Sequence, residues 1–123
     1  MRILVIDDNA VNLDLMLYLL RSFGHEAAGC DDPHRGFDEA VAGNYEAILS
    51  DVLMPGIDGY ELARRLKDDA RTADVPLIAV TALAMPADRE RVAQSRFDGY
   101  IAKPIDPRTF VTQIERFVAR AHG

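Results

Sequence analysis

The chain has 123 residues, 49% of them hydrophobic, which is enough for one domain with a single core. Its 14 basic and 20 acidic residues give a formal net charge of −6, which argues against direct nucleic-acid binding because phosphate contacts need a basic face. Cys30 is the only cysteine, so an internal disulfide and a cysteine-built zinc site are both excluded. No apolar run approaches a membrane span, and the first strand begins too close to Met1 for a signal peptide, so we expect a cytoplasmic protein.

The first strand and the first helix both follow from the N-terminal sequence. Arg2 to Ile6 is a continuous apolar run, which is typical of a strand that is covered on both faces. Asn9 is predicted to cap a helix from Ala10 to about Phe23, which Gly24 closes. This helix is apolar nearly all round, so some of its apolar side chains should remain exposed, either as ordinary scattered exposure or as a partner-docking patch. The candidates for that patch are Leu13, Met16, Leu17 and Leu20.

The next three elements are a weak strand, a helix and a strong strand. The weak strand is predicted from His25 to Gly29. Asp32-Pro33 has the composition of a cap followed by a first helical residue, and that second helix should end near Gly43-Asn44. The strong strand runs from Glu46 to Ser50 and brings Asp51 to its end.

The second half of the chain continues the same alternation. Its predicted elements are a helix from Asp58 to about Asp69, a strand from Val75 to Val80, a helix from near Pro86 to about Ser95, a strand from Tyr100 to Ala102, and a helix that follows the cap Asp106-Pro107 and reaches about Ala121. Five repeats of strand and helix with short connections predict an α/β fold, in which a five-stranded parallel sheet carries helices on both faces.

Four predicted strands end in polar residues that can carry chemistry. These residues are Asp7-Asp8, Asp51, Thr81 and Lys103-Pro104. Each by itself has a structural explanation as a turn, cap or strand residue, so the combination is what indicates function. The ligand crevice of an open α/β sheet lies at the carboxyl ends of its strands, and these side chains should therefore form one site.

The expected chemistry of that site is phosphoryl transfer. Clustered carboxylates repel one another, and a hard divalent cation such as Mg²⁺ relieves the repulsion. An ionised aspartate beside such an ion can attack phosphorus and form an aspartyl phosphate. The amine of Lys103, the hydroxyl of Thr81 and the backbone N–H groups after Asp51 can compensate the charge on the transferred oxygens.

These motifs, together with Met54-Pro55-Gly56-Ile57-Asp58-Gly59 and Ala82, resemble the receiver domain of two-component response regulators along the whole chain. The resemblance implies a doubly wound, flavodoxin-like fold with strand order 2-1-3-4-5. It also implies that Asp51 is phosphorylated from a phosphohistidine on a histidine kinase or histidine phosphotransfer protein, and that a downstream protein is the target. The implied Mg²⁺ ligands are Asp8, Asp51, the backbone carbonyl of Leu53 and, through a water, Asp7.

The resemblance further implies a switch. Thr81 and Lys103 would contact the phosphoryl oxygens, and the Lys103–Pro104 bond would be cis. On phosphorylation Thr81 would move toward the phosphate and the ring of Tyr100 would turn inward, which would remodel the face made by the fourth helix, fifth strand and last helix. The alternative for Tyr100 is an edge residue that does not move. The apolar first helix and the segment Ala82-Leu83-Ala84-Met85 are similar to single-domain receivers of the DivK type.

Two positions depart from the pattern of fast-resetting receivers. Leu53 and Leu83 lie two residues beyond Asp51 and Thr81, where polar side chains in those relatives help a water to attack the phosphoryl group. The hypothesis that follows is a drier site with a longer-lived phosphate.

We expect residues 1–123 to form a single receiver domain without an output domain, as a monomer or a weak phosphorylation-dependent dimer. Such a protein would promote only its own phosphorylation and dephosphorylation and would not be an enzyme. One alternative is a receiver module from a hybrid histidine kinase or a longer regulator. Another is a phosphohydrolase that uses an aspartyl phosphate, but that class needs a second acid two residues after the nucleophile, where this chain has Leu53.

Overall fold

The computed structural model describes residues 1–83 and 85–122, apart from the side chain of His122. Ala84, which belongs to the segment compared with DivK-type receivers, and Gly123 lie outside the described residues. The elements are β1 (Arg2–Ile6), α1 (Ala10–Ser22), β2 (Glu26–Cys30), α2 (Pro33–Gly43), β3 (Ala47–Ser50), α3 (Gly59–Asp68), β4 (Leu77–Thr81), α4 (Pro86–Ala93), β5 (Gly99–Ala102) and α5 (Phe110–His122). The predicted alternation of strands and helices is confirmed.

The five strands form one parallel sheet in the order β2-β1-β3-β4-β5. The predicted doubly wound fold is therefore confirmed. Ile6 lies opposite Ser50, so the next residues along the two strands, Asp7 and Asp51, leave the sheet side by side. In the pair formed by β4 and β5, Thr81 lies opposite Ala102, and Lys103 follows Ala102 directly. The register thus brings four of the predicted site residues to one edge of the sheet.

Each face of the sheet is covered by its own apolar cluster. Successive side chains of a strand point to opposite faces, so Ile3 and Val5 enter one cluster whereas Leu4 and Ile6 enter the other. The first cluster includes buried residues of α1 and α5, and the second includes buried residues of α2, α3 and α4. This two-sided burial explains why the β1, β3 and β4 sequences are apolar without alternation.

The expected exposure of Met16 and Leu20 on α1 is wrong, because both side chains are fully buried in the cluster shared with α5. Leu13 and Leu17 are half-buried. A Cβ placed on Gly29 would lie only 2.9 Å from Leu13 Cδ1 and 2.8 Å from Leu17 Cδ1. Since β2 consists largely of small residues, α1 packs close to it and buries more of its surface than the sequence pattern indicates. The exposed large apolar residues of this region are Val11, Tyr18 and Phe23.

Three predicted helix caps are present, and one predicted helix start is wrong. Asn12 N donates to Asn9 Oδ1 over 3.0 Å, and His34 N and Glu61 N donate to the carboxylates of Asp32 and Asp58 over 2.7 and 2.9 Å. At the last helix, Asp106 begins a turn instead, because its side chain accepts from the backbone N–H two residues further on. α5 therefore starts only at Phe110. No described helix is both long and apolar enough to cross a membrane.

Candidate functional site

Three acidic side chains meet where β1 and β3 end. Asp7 is fully buried, Asp51 is 8% exposed and Asp8 is exposed, and one carboxylate oxygen from each lies within 4.8 Å of the others. The backbone holds two of them in place, since Asp51 N donates to Ile6 O over 3.0 Å and Asp7 N donates to Cys30 O over 3.0 Å. The three acids predicted from separate strand ends therefore belong to one site.

Lys103 contacts two of these acids. Its Nζ lies 2.8 Å from Asp7 Oδ2 and 2.8 Å from Asp51 Oδ2. The backbone of Lys103 is held beside β4, since its N–H donates to Thr81 O over 2.9 Å. The Lys103–Pro104 peptide bond is cis, as the resemblance implies. The ammonium group thus offsets part of the negative charge where the acids converge.

The ionisation of Asp7 and Lys103 reflects their burial and their pairing. Burial raises the pKa of Asp7, and it outweighs the opposing effects of the Lys103 hydrogen bond and of the Asn9 N–H donated to Asp7 Oδ1 over 2.9 Å. Burial alone would lower the pKa of Lys103, but its hydrogen bonds to Asp51 and Asp7 outweigh this and raise that pKa. Lys103 therefore keeps its positive charge across the physiological pH range.

The Asp51 carboxylate is oriented by the chain that follows it. Asp51 Oδ1 accepts from Val52 N over 2.7 Å and from Leu53 N over 3.2 Å, which leaves Oδ2 facing Lys103. Gly59 closes this loop by donating its N–H to Val52 O over 2.7 Å. A Cβ at Gly59 would lie 2.3 Å from Asp51 O, so only glycine permits this approach.

The two predicted switch residues occupy different environments. Thr81 is buried at the end of β4, and it lines a cleft of about 80 Å³ together with Leu53 and Leu83. Tyr100 is 39% exposed on the edge strand β5 and does not line this cleft. The structure thus brings Asp7, Asp8, Asp51, Thr81 and Lys103 together, and it leaves Tyr100 on the outer edge of the sheet.

Sequence reasoning missed three residues at the border of the site. Tyr60, Asp88 and Arg91 line the same cleft as Thr81, although they come from α3 and α4. No strand-end rule could have found them, because they lie within helices of ordinary composition. Their position depends on how those two helices pack against the sheet.

The donor set fits a hard cation. Three carboxylates within 4.8 Å of one another are oxygen ligands of the kind that Mg²⁺ takes, and one of them is exposed and so accessible from solvent.

The family comparison agrees with this geometry. The profile of the response regulator receiver domain matches residues 3–115, and the chain therefore belongs to that family of two-component signalling modules. It is 33% identical to the polar-differentiation response regulator DivK of Brucella ovis. The alignment spans 119 residues and covers 97% of each of the two chains. It is thus a DivK-like receiver.

Solved structures show the same fold. The receiver domain of a sensor histidine kinase from Pseudomonas aeruginosa PAO1, with a magnesium ion coordinated in its active-site cleft, is 32% identical with a TM-score of 0.87 and covers 96% of this chain and 97% of that chain. The chemotaxis protein CheY4 of Vibrio cholerae also has a TM-score of 0.87, over 94% of this chain and 97% of that one. Because the two sequences are only 22% identical, this likeness shows a shared fold and nothing more.

Proposed function

We propose that this chain is a phosphoacceptor receiver in which Asp51 takes a phosphoryl group from a phosphohistidine on a histidine kinase or histidine phosphotransfer protein. The observation that carries this proposal is the convergence of three carboxylates with Lys103 Nζ, which lies 2.8 Å from Asp51 Oδ2. Membership of the receiver family and the likeness to DivK support it.

In the proposed reaction, a carboxylate oxygen of Asp51 attacks phosphorus. A new O–P bond forms while the N–P bond to the histidine ring breaks, and the imidazole leaves with the electron pair of that bond and takes up a proton. The N–H groups of Val52 and Leu53 donate to Asp51 Oδ1 and so hold the carboxylate in place. In this proposal Lys103 and the Thr81 hydroxyl compensate charge on the transferred oxygens, which is the main contribution of proteins to this chemistry.

We further propose that Asp8, Asp51 and the Leu53 carbonyl hold Mg²⁺ directly and that Asp7 does so through a water. The bound ion would neutralise the charge that builds up between the carboxylates and the incoming phosphoryl group. The exposure of Asp8 supports its role as a direct ligand, since its carboxylate is open to an ion that arrives from solution.

The proposed output is a change in a protein-binding face. Movement of Thr81 toward the phosphoryl group would vacate space into which the ring of Tyr100 turns, and a downstream protein would bind the face made by α4, β5 and α5. The exposure of the Tyr100 side chain supports this, because it is not held in the core.

We propose that the phosphodonor protein docks on α1. The exposed ring of Tyr18 and the half-buried Leu17 border a surface groove on this helix, and Leu13 lies one turn before Leu17. Met16 and Leu20 are excluded from this surface by their burial.

The test of the proposed function is intact mass after incubation with Mg²⁺ and phosphoramidate. We expect a single phosphoryl adduct that maps to Asp51 and is absent from Asp51→Asn, because the amide lacks the nucleophilic oxygen while keeping the shape of the side chain. Chelation of Mg²⁺ should also abolish the adduct. An adduct that persists in Asp51→Asn would contradict the assignment.

The lifetime of the adduct tests the hypothesis of a dry site. Leu53 and Leu83 line the cleft beside Thr81 and offer no group that can hold an attacking water. We expect Leu53→Asn and Leu83→Asn each to speed hydrolysis by about tenfold, which corresponds to about 1.4 kcal/mol of barrier. Decay is followed by mass after donor removal, and Met85→Asn serves as the control, since Met85 is an exposed apolar residue that does not line the cleft. Decay in the parent protein that is as fast as in both leucine variants would refute the hypothesis.

A further inference from the structure

A concentration of positive charge lies between α3 and the end of α4, on a chain whose net charge is −6. Arg64, Arg91 and Arg96 line one groove of about 420 Å³. Arg64 pairs with Glu61 over 2.5 Å and with Asp68 over 3.6 Å, and Arg96 pairs with the same Asp68 over 3.1 Å. The acids are shared further, because Glu61 also pairs with Arg65. The guanidinium groups at this groove thus outnumber the carboxylates that pair with them.

Arg91 is held in a defined position although no carboxylate of the described residues forms an ion pair with it. Its guanidinium carbon lies 4.2 Å from the centre of the Tyr60 ring. That ring in turn packs edge-on against the buried Phe97, with ring centres 6.2 Å apart and an interplanar angle of 73°. The stack therefore presents a pre-oriented cationic group to the groove at little entropic cost.

The same two side chains also border the phosphoacceptor site. Tyr60 and Arg91 line the small cleft that contains Thr81, Leu53 and Leu83. They line the arginine groove as well, so their stack forms the wall between the two spaces. A ligand that draws Arg91 away from Tyr60 would change the cleft beside Thr81.

We propose that this groove binds an acidic segment of a partner protein and that its occupancy is coupled to the cleft beside Thr81 through Arg91 and Tyr60. Charge complementarity selects an anion, and guanidinium groups bind carboxylates with two parallel hydrogen bonds. Arg91 already covers one face of the Tyr60 ring and Phe97 packs edge-on against the same ring, so a nucleotide base that stacked there would compete with these contacts. The remaining lining residues, Gln94 and Ser95, suit hydrogen bonds to a peptide, and arginine and tyrosine are enriched in protein interfaces.

The binding test uses fluorescein-labelled hexaglutamate at constant ionic strength and measures fluorescence anisotropy. We expect saturable binding that Arg91→Gln and Arg96→Gln each weaken by about fivefold or more. The matched control is Arg35→Gln, which, like Arg96→Gln, removes an exposed arginine from a carboxylate pair but lies on α2. Far-UV circular dichroism checks that each variant is folded.

Three results would overturn the binding proposal. These are the absence of saturable binding, equal weakening by Arg35→Gln, and tighter competition by tripolyphosphate than by unlabelled hexaglutamate. The last of these would indicate a phosphate-bearing ligand in place of an acidic peptide.

The coupling, which rests on the proposed function, is tested by the rate of phosphorylation from phosphoramidate with and without saturating hexaglutamate. We expect a change of about twofold or more in the parent protein and in Arg35→Gln, and none in Arg91→Gln. An unchanged rate at saturation would overturn the coupling. A chain that binds the peptide but takes no phosphoryl group from phosphoramidate would contradict the proposed function, while the groove would still be a peptide-binding site. Failure of the proposed function and failure of the groove proposal are therefore distinguishable.

Discussion

Lys103→Met should lower the free energy of unfolding by about 3 kcal/mol at neutral pH, because it leaves two buried carboxylates without their cation. Lys103 Nζ lies 2.8 Å from both Asp7 and Asp51, whose side chains are almost completely buried. Methionine keeps the length and the apolar stem of the lysine, so packing changes little. The estimate is at the lower end of the range for broken buried pairs, since the Lys103 side chain is 15% exposed and water can reach the site. Urea unfolding measures the effect.

A second substitution separates charge compensation from packing in this experiment. In an Asp51→Asn background, Lys103→Met should cost less than half as much, because one of the two like charges has been removed. Added Mg²⁺ should stabilise Lys103→Met more than the parent protein, since an oxygen-ligated cation would replace the missing positive charge. Equal costs in both backgrounds would show that the lysine contributes through packing. Arg108→Met, which breaks an exposed pair with Asp106, should change stability by less than about 0.5 kcal/mol.

Gly59→Ala should lower the free energy of unfolding by about 3 kcal/mol and sharply reduce phosphorylation of Asp51. The added Cβ would lie 2.3 Å from Asp51 O and 2.5 Å from Val52 Cα, and both of these atoms belong to the backbone. A backbone cannot rotate away as a flexible side chain does, so the loop after β3 must shift. That shift moves the N–H groups of Val52 and Leu53, which orient the Asp51 carboxylate.

Helix propensity by itself would predict that Gly59→Ala raises the free energy of unfolding. Gly59 is the first residue of α3, where alanine would otherwise stabilise the helix by up to about 1 kcal/mol. The control is Gly24→Ala, whose Cβ meets no atom within 4 Å and whose cost comes from its φ of 86° alone. Urea unfolding and the phosphoramidate assay check both variants. Stability and adduct formation in Gly59→Ala equal to those of Gly24→Ala would contradict the close approach.

Much of the candidate site could be predicted because it lies at strand ends. In a parallel sheet all strands finish at the same edge, so an acid after β1, an acid after β3 and a lysine after β5 all lie along one edge of the sheet. The distances of 2.8 Å from Lys103 to Asp7 and Asp51 were beyond that reasoning, since they depend on side-chain rotamers and on the register of β4 with β5. The start of α5 was misplaced for a local reason, because the Asp106 side chain accepts from the backbone of a turn before the helix begins.

By itself the sequence determined the order of the elements, three of the helix caps and the polar residues at the strand ends, because each depends on neighbours along the chain. Only the tertiary structure decided which face of α1 is buried, and it did so through the small side chains of β2 and the packing of α5. It alone also placed Tyr60 of α3 beneath Arg91 of α4, which forms the wall between the phosphoacceptor cleft and the arginine groove. Contacts between helices depend on how each helix rotates and sits on the sheet, and a periodic pattern within one helix does not specify the residues of another that it meets.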